Sequence, residues 1–372
     1  MNAKSYCMTA FVLVLFATPL STFAAKQPKI LDIGQPAPDF SLPGVDGKTY
    51  SLKSFSDAKI LLIVFTCNHC PTAQAYEQRI IDLDRDYKSK GVKLVAISPN
   101  DPIALRLDEL GYTEYGDSFE EMKLRAKEHN FQFPYLYDGE TQATSTAYGV
   151  VATPHVYIFD QERKLRYTGR IDDSDVKQVT SHDTRNALDA LIAGKQVEVP
   201  TTKVFGCSTK WAEKNQDAKK YIAKWDAEPV AIAPINTDAV KALAKNDSKK
   251  LRLINVWATW CGPCVNELPE LVIMNRMYRK RDFEMITISM DAPDKQDKAL
   301  AMLKELHVSS KNFLYNGTDK DKLVEALDHD WPGPVPHTLL VAPGGKVIYR
   351  HTGEIDAMEL KKAIVGYLGR TY

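Results

Sequence analysis

Residues 251–264 read Leu-Arg-Leu-Ile-Asn-Val-Trp-Ala-Thr-Trp-Cys-Gly-Pro-Cys, an apolar run of strand character that ends in two cysteines three positions apart. A helix-permissive stretch with Leu268, Leu271 and Met274 follows, and then a second apolar run, residues 283–290 (FEMITISM). Cysteines with this spacing at the start of a helix have a chemical meaning. The first sulfur faces unpaired backbone N–H groups and the positive end of the helix dipole, which favours the thiolate. The second lies one turn on, within disulfide reach, so it can resolve a mixed disulfide formed by the first. Half of a zinc site and an inert structural disulfide are the competing readings. Zinc asks for four close ligands, and no second cysteine pair or His-x-His cluster lies nearby.

The same order occurs earlier in the chain. The apolar strand Ile60–Phe65 leads to Thr66-Cys67-Asn68-His69-Cys70-Pro71; a helical stretch runs to about Lys90 and stops at Gly91, and the strand Val92–Ser98 follows. Downstream, each copy has a proline entering an apolar strand, a short turn and another strand: Thr153-Pro154-His155 into VYIFD, and Val335-Pro336-His337 into TLLVA. Closing helices are expected at 183–193 and 356–368. The copies do not match residue for residue, so they read as two related domains rather than a solenoid. The first carries a long insertion, about 101–149, with a capping-box pattern at Ser118 and Glu121. The resulting division is 1–24 signal peptide, 25–207 first domain, 208–236 linker and 237–372 second domain.

The 372 residues carry 48 basic and 48 acidic side chains, so no long-range field gathers a polyanion, and nucleic acid is not an expected partner. The N-terminus combines Lys4, an apolar run at 8–20 and small residues at Ser21, Thr22, Ala24 and Ala25. This is the pattern of a secretory signal peptide cut near Ala24, which implies a periplasmic or otherwise exported protein. The run is shorter than the roughly 18 residues a spanning helix needs. Cleavage removes Cys7 and leaves Cys67, Cys70, Cys207, Cys261 and Cys264 in an oxidising compartment.

Residues 251–368, with Trp260-Cys261-Gly262-Pro263-Cys264, Glu267, Pro269 and the Val335-Pro336 step, resemble the TlpA-type branch of the thioredoxin superfamily. Residues 30–212 resemble the AhpC/TSA redoxins, entered through Pro36-Ala37-Pro38-Asp39-Phe40, and more narrowly a peroxiredoxin-like subgroup. That narrower match rests on Phe65-Thr66-Cys67-Asn68-His69-Cys70-Pro71, Phe133-Pro134-Tyr135-Leu136, residues 169–173 (GRIDD) and Gly206-Cys207-Ser208. The resemblance implies an α/β protein of two thioredoxin-fold domains, each a mixed central sheet flanked by helices. It makes Cys67, Cys70, Cys261 and Cys264 the redox residues and Glu267 a buried acid that exchanges protons with Cys264. It makes Pro154 and Pro336 cis prolines, with the backbone of Thr153 and Val335 presented to a substrate chain. Ala73 occupies the position matching Glu267, so the first site needs another proton carrier, water or His69. His155 and His337, on the strands after the prolines, read more simply as core residues than as ligands.

The function expected is thiol–disulfide oxidoreduction on protein thiols or disulfides, with a membrane thiol-electron donor, no cofactor and no metal. Thiol-dependent peroxide reduction is one alternative. However, aligning Cys70 on the peroxidatic position puts Cys67 where the redoxin PxxxTxxC motif has threonine, and Pro154 where it has arginine. A Cu(I) chaperone using Cys67, Cys70 and His69 or His155 is another. The helix dipole favours Cys67 and Cys261 as attacking thiols, whereas the redoxin alignment favours Cys70. Cys207 is open between a resolving thiol and a small packed residue. His69 stabilises a thiolate where Gly262-Pro263 offers nothing comparable, so the first pair is expected to be the more oxidising, by up to about 90 mV, and to receive electrons from the second.

Overall fold

The computed structural model describes residues 28–371; the expected signal peptide at 1–24 lies outside the described residues. In the first half, five strands form a mixed sheet in the order Tyr135–Tyr137, Val92–Ser98, Ile60–Phe65, His155–Phe159, Leu165–Gly169. The first three are parallel, and His155–Phe159 runs antiparallel to Ile60–Phe65 with Phe65 opposite His155. In the second half, six strands run in the order Ala233–Ile235, Lys311–Tyr315, Phe283–Ser289, Leu251–Trp257, His337–Val341, Val347–Thr352. Four are parallel and the last two antiparallel. Each half is therefore a mixed α/β sheet flanked by helices. No helix among the described residues is long and apolar enough to cross a membrane.

The central strand Ile60–Phe65 is apolar throughout, and Leu251–Trp257 is apolar but for Arg252 and Asn255, because both faces of each are covered. Ile60, Leu62 and Val64 pack with Tyr76, Ile80 and Leu83 of the helix Pro71–Tyr87. Leu61, Ile63 and Phe65 pack on the other face with Tyr148, Tyr157 and Phe159. In the second half, Leu251, Leu253 and Trp257 meet Leu268, Leu271 and Met274 of the helix Gly262–Tyr278, while Ile254 and Val256 join the opposite layer. Side chains of this size contribute roughly 1.5–3 kcal/mol each when fully buried. These layers thus hold each dithiol helix rigidly over its sheet. Gly91, at φ 86°, ends the helical stretch of the first half in the left-handed conformation.

Residues 208–236 carry structure of their own. The helix Asn215–Asp226 buries Ala218 and Trp225, and the Arg276 and Arg279 guanidinium groups lie 5.8 and 5.5 Å from the Trp225 ring. The insertion of the first half also reaches the second half directly. Tyr278 Oη donates to Thr113 O at 3.0 Å, Arg281 Nη1 to Gly111 O at 2.9 Å, and Arg370 Nη2 to the buried Glu114 at 2.8 Å. Lys280 pairs with Asp108, and Leu107 and Leu110 pack against the second core. The expected capping box is present: Ser118 Oγ accepts the Glu121 N–H, and the Glu121 carboxylate accepts the Ser118 N–H.

Candidate functional site

In the second half, Cys261 is the N-cap of the helix Gly262–Tyr278, with Pro263 in its first turn. Its sulfur accepts the Cys264 N–H at 3.3 Å and lies 3.6 Å from Val335 O, the carbonyl before cis Pro336. Cys261 and Cys264 are joined by a disulfide with Cα atoms 5.3 Å apart. Cys264 is fully buried, and Trp260 stands at the rim, 67% exposed. Glu267 is buried on the dithiol helix itself, one turn past Cys264. Its carboxylate accepts hydrogen bonds from Asn255 Nδ2 at 2.7 Å and from the Ile355 N–H at 3.0 Å. Burial pushes its pKa up to about 7 despite both donors, which places proton exchange within the neutral range. Asn255 was not singled out in the sequence; its signal is a lone amide in an otherwise apolar strand face.

The first half is built differently. Its helix starts at Pro71, so Cys70, not Cys67, is the N-cap, and its sulfur accepts the Ala73 N–H at 3.4 Å. Pro71 sets this start: it lacks the N–H that a helix begun at Asn68 would need there, and it holds Cys70 in extended backbone with ψ 121°. Asp117, in the insertion, ties down the segment ahead of it. One of its carboxylate oxygens accepts the backbone N–H groups of Asn68 and His69 at 2.9 and 3.0 Å; the other meets His69 Nδ1 at 2.5 Å and accepts from Asn100 Nδ2 at 2.7 Å. Cys70 Sγ lies 3.4 Å from Thr153 O, the carbonyl before cis Pro154, and Cys67 Sγ lies 3.1 Å from Thr153 Oγ1.

The electrostatics follow the geometry. Burial opposes the Cys70 thiolate, but the Cys207 and Cys67 thiols, the His69 charge and the Ala73 N–H outweigh it and hold the Cys70 pKa well below the usual range. Burial and then the neighbouring Cys70 and Asp117 push Cys67 up. Burial likewise pulls His69 down, yet Asp117 overcomes this and raises it. The expectation that Cys67 carries the stabilised sulfur is therefore corrected: the helix N-terminus serves Cys70 here, in line with the redoxin alignment. Asp117 gives no sequence signal beyond an acid preceding a helix cap.

His155 donates or accepts at Thr168 Oγ1 (3.1 Å), and burial lowers its pKa to about 3. His337 lies between Thr352 and Asp328, stacked on Trp331, and burial outweighs Asp328 to lower it to about 4. Both rings are core groups. Ligand atoms of Cys67, His69 and Asp117 lie within 4.8 Å of one another, all buried, although His69 Nδ1 is already bonded to Asp117.

The two dithiols do not face each other. The second half docks on the insertion through Tyr278–Arg281, the far end of the helix that begins beside Cys261, so about 24 Å of helix separates that pair from the docked end. The first pair lies close to the docked surface, since Gln74 Nε2 of its helix donates to Tyr112 O at 3.3 Å.

Residues 33–168 match the AhpC/TSA family and residues 233–364 match Redoxin. The thiol:disulfide interchange protein CycY of Rhizobium leguminosarum bv. viciae is 30% identical over 140 residues, covering 38% of this chain and 69% of that protein. The thiol-disulfide oxidoreductase ResA of Bacillus cereus is 28% identical over 120 residues, covering 31% and 60%. Among solved structures, a hypothetical protein from Sinorhizobium meliloti is 33% identical with a TM-score of 0.45, covering 50% of this chain and 98% of that one. An uncharacterized conserved protein from Geobacillus kaustophilus is 39% identical with a TM-score of 0.44, covering 50% and 94%. With two redoxin matches in tandem and these relatives, the chain belongs to the thioredoxin-fold thiol-disulfide oxidoreductases, an AhpC/TSA redoxin followed by a TlpA-type redoxin.

Proposed function

We propose that this protein exchanges thiols and disulfides with protein clients at two centres, Cys261/Cys264 and Cys67/Cys70. The observation that carries the reading is the repeated construction: in each half a cysteine sulfur caps a helix and faces the carbonyl of the residue before a cis proline. At the second centre a client strand laid along Val335-Pro336 brings its sulfur to Cys261. At the second centre, Cys261 thiolate attacks a client disulfide. Cys264 then gives its proton to Glu267, one turn on, and displaces the client from Cys261, so two electrons pass to the client.

The signal-peptide pattern supports reading this chemistry as taking place outside the cytoplasm, with a membrane thiol donor reducing Cys261/Cys264. Electrons then run to Cys67/Cys70, because His69, its pKa raised by Asp117 against the pull of burial, favours the reduced first centre. As the length of the helix Gly262–Tyr278 separates Cys261/Cys264 from the docked surface that the first pair adjoins, this transfer needs the contact around Gly111–Glu114 to open. The test is trapping. Full-length Cys264→Ser, reduced and mixed with a disulfide-containing protein, is expected to hold it as a mixed disulfide at Cys261; no adduct overturns the reading. Hydroperoxide reduction is the second reading, favoured by the stabilised Cys70 thiolate. It is tested by peroxide consumption of the reduced protein lacking Cys261 and Cys264.

A further inference from the structure

The sequence expectation that the backbone of Thr153, before Pro154, is presented to a substrate chain is corrected: that edge is already occupied by the chain itself. Cys207–Ser208 pairs antiparallel with Ala152–Thr153, and Cys207 stands directly opposite Thr153, the residue before Pro154. The fit leaves no room for a side chain at Gly206. With φ 142°, a Cβ there meets Thr153 O at 2.1 Å. The strand is held on both sides: Phe205 packs 6.0 Å from the Tyr76 ring, while Lys210 donates its N–H to Asn100 Oδ1 at 2.9 Å and receives Gln142 Nε2 on its carbonyl at 2.9 Å. Among the described residues the second half has no equivalent strand on Val335.

This placement brings a third sulfur to the dithiol. Cys207 packs with Cys67, Cys70 and Ala73, and its thiol hydrogen-bonds with Cys70. The three differ in access. Cys70 is wholly buried and Cys67 nearly so, whereas Cys207 is half-buried and reaches the surface.

We propose that Cys207 is a third redox thiol, through which the buried Cys67/Cys70 pair exchanges with clients. The inference rests on thiol–disulfide exchange at the first centre and adds the residue that meets the client. Starting from a Cys67–Cys70 disulfide, Cys207 thiolate attacks Cys70 Sγ; the Cys70–Cys207 bond forms, Cys67 leaves as thiolate, and the Cys207 proton passes to it. No net electrons move. A client thiolate then attacks the half-buried Cys207 sulfur, and Cys70 departs as the stabilised thiolate. A second client thiol displaces Cys207. The client ends as a disulfide, the protein holds three thiols, and the two client protons replace those lost from protein sulfurs. With a client disulfide the sequence runs in reverse.

The test uses full-length protein, glutathione disulfide as the probe, acid quenching, alkylation and tryptic mapping. Cys67 and Cys70 share the peptide 60–79, while Cys207 lies in 204–210, so a cross-link between those peptides reports the new bond. Wild-type protein, which needs no substitution to fold, is expected to pass through the cross-link on its way to a disulfide within peptide 60–79. Reduced Cys67→Ser is expected to stop at the cross-link, and Cys207→Ser to lose the rapid oxidation within peptide 60–79, because the sulfur that meets glutathione disulfide is gone. If Cys207→Ser oxidises within that peptide as fast as wild type, the proposal is overturned. Exchange at the first centre fails separately: if wild type forms neither the cross-link nor the disulfide within peptide 60–79, the underlying reading sinks whatever Cys207 does.

Discussion

Asp117 Oδ2 lies 2.5 Å from His69 Nδ1, with both side chains buried beside Cys70. The carboxylate raises the His69 pKa and, through its other oxygen, accepts the Asn68 and His69 N–H groups just ahead of the helix that Pro71 opens.

Asp117→Asn keeps an oxygen for those N–H groups but removes the charge. His69 is expected to lose its proton more easily, and the Cys70 pKa to rise. Thiolate absorbance of the reduced protein lacking Cys261 and Cys264, followed against pH, checks this; an unchanged Cys70 titration assigns Asp117 a purely structural role. The sign in stability also follows. Because the folded pKa of His69 is raised, its contribution is complete below the unfolded value of about 6.5 and is lost as pH rises through the folded one. Wild type should therefore lead Asp117→Asn most at mildly acidic pH and converge towards it in alkali.

Glu267 has the opposite sense. Its folded pKa of about 7 stands above an unfolded value of about 4.3, so folding costs progressively more as pH rises between them. The total is about 3 kcal/mol. Glu267→Gln lacks this cost, and the stability difference between variant and wild type should move in the variant's favour by that amount from pH 4 to pH 8. Urea midpoints at the two pH values measure it. A difference that stays constant shows a carboxylate with an ordinary pKa.

The two dithiols should differ in potential. In full-length protein with one pair at a time replaced by serine, Cys67/Cys70 is expected to be the more oxidising, by up to about 90 mV or roughly 4 kcal/mol for two electrons. Equal potentials, or the reverse order, sink the proposed direction of flow and leave two independent centres on one chain.

Arg370 pairs with Glu114, whose carboxylate is wholly buried between the halves. Arg370→Ala should weaken docking by about 1–3 kcal/mol by leaving that acceptor unsatisfied. If transfer between the dithiols requires opening, electrons placed on Cys261/Cys264 should reach Cys67/Cys70 faster in this variant, as rapid quenching and mass mapping would report. A slower transfer would show that the docked arrangement is the productive one.

Much of this architecture is written in local sequence. The runs Ile60–Phe65 and Leu251–Trp257 specify buried strands because nearly every position is apolar, and Gly91 and Ser118 mark helix boundaries through backbone preference and capping. The CxxC spacing locates two dithiols for the same reason: sulfur reach across one helical turn is a short-range property. The choice of capping cysteine is short-range as well, since Pro71 follows Cys70 directly and opens the helix. The charge beside it is not: Asp117 lies 48 positions from His69 in the chain, and only folding brings its carboxylate to the His69 ring and to the Asn68 and His69 N–H groups. The same holds for Asn255 against Glu267, and for Cys207, whose partner strand lies 54 positions away at Thr153. Such pairings depend on desolvation and charge accumulated across the whole structure. They decide which sulfur is a thiolate and which reaches solvent, whereas the sequence by itself determined where the sulfurs are.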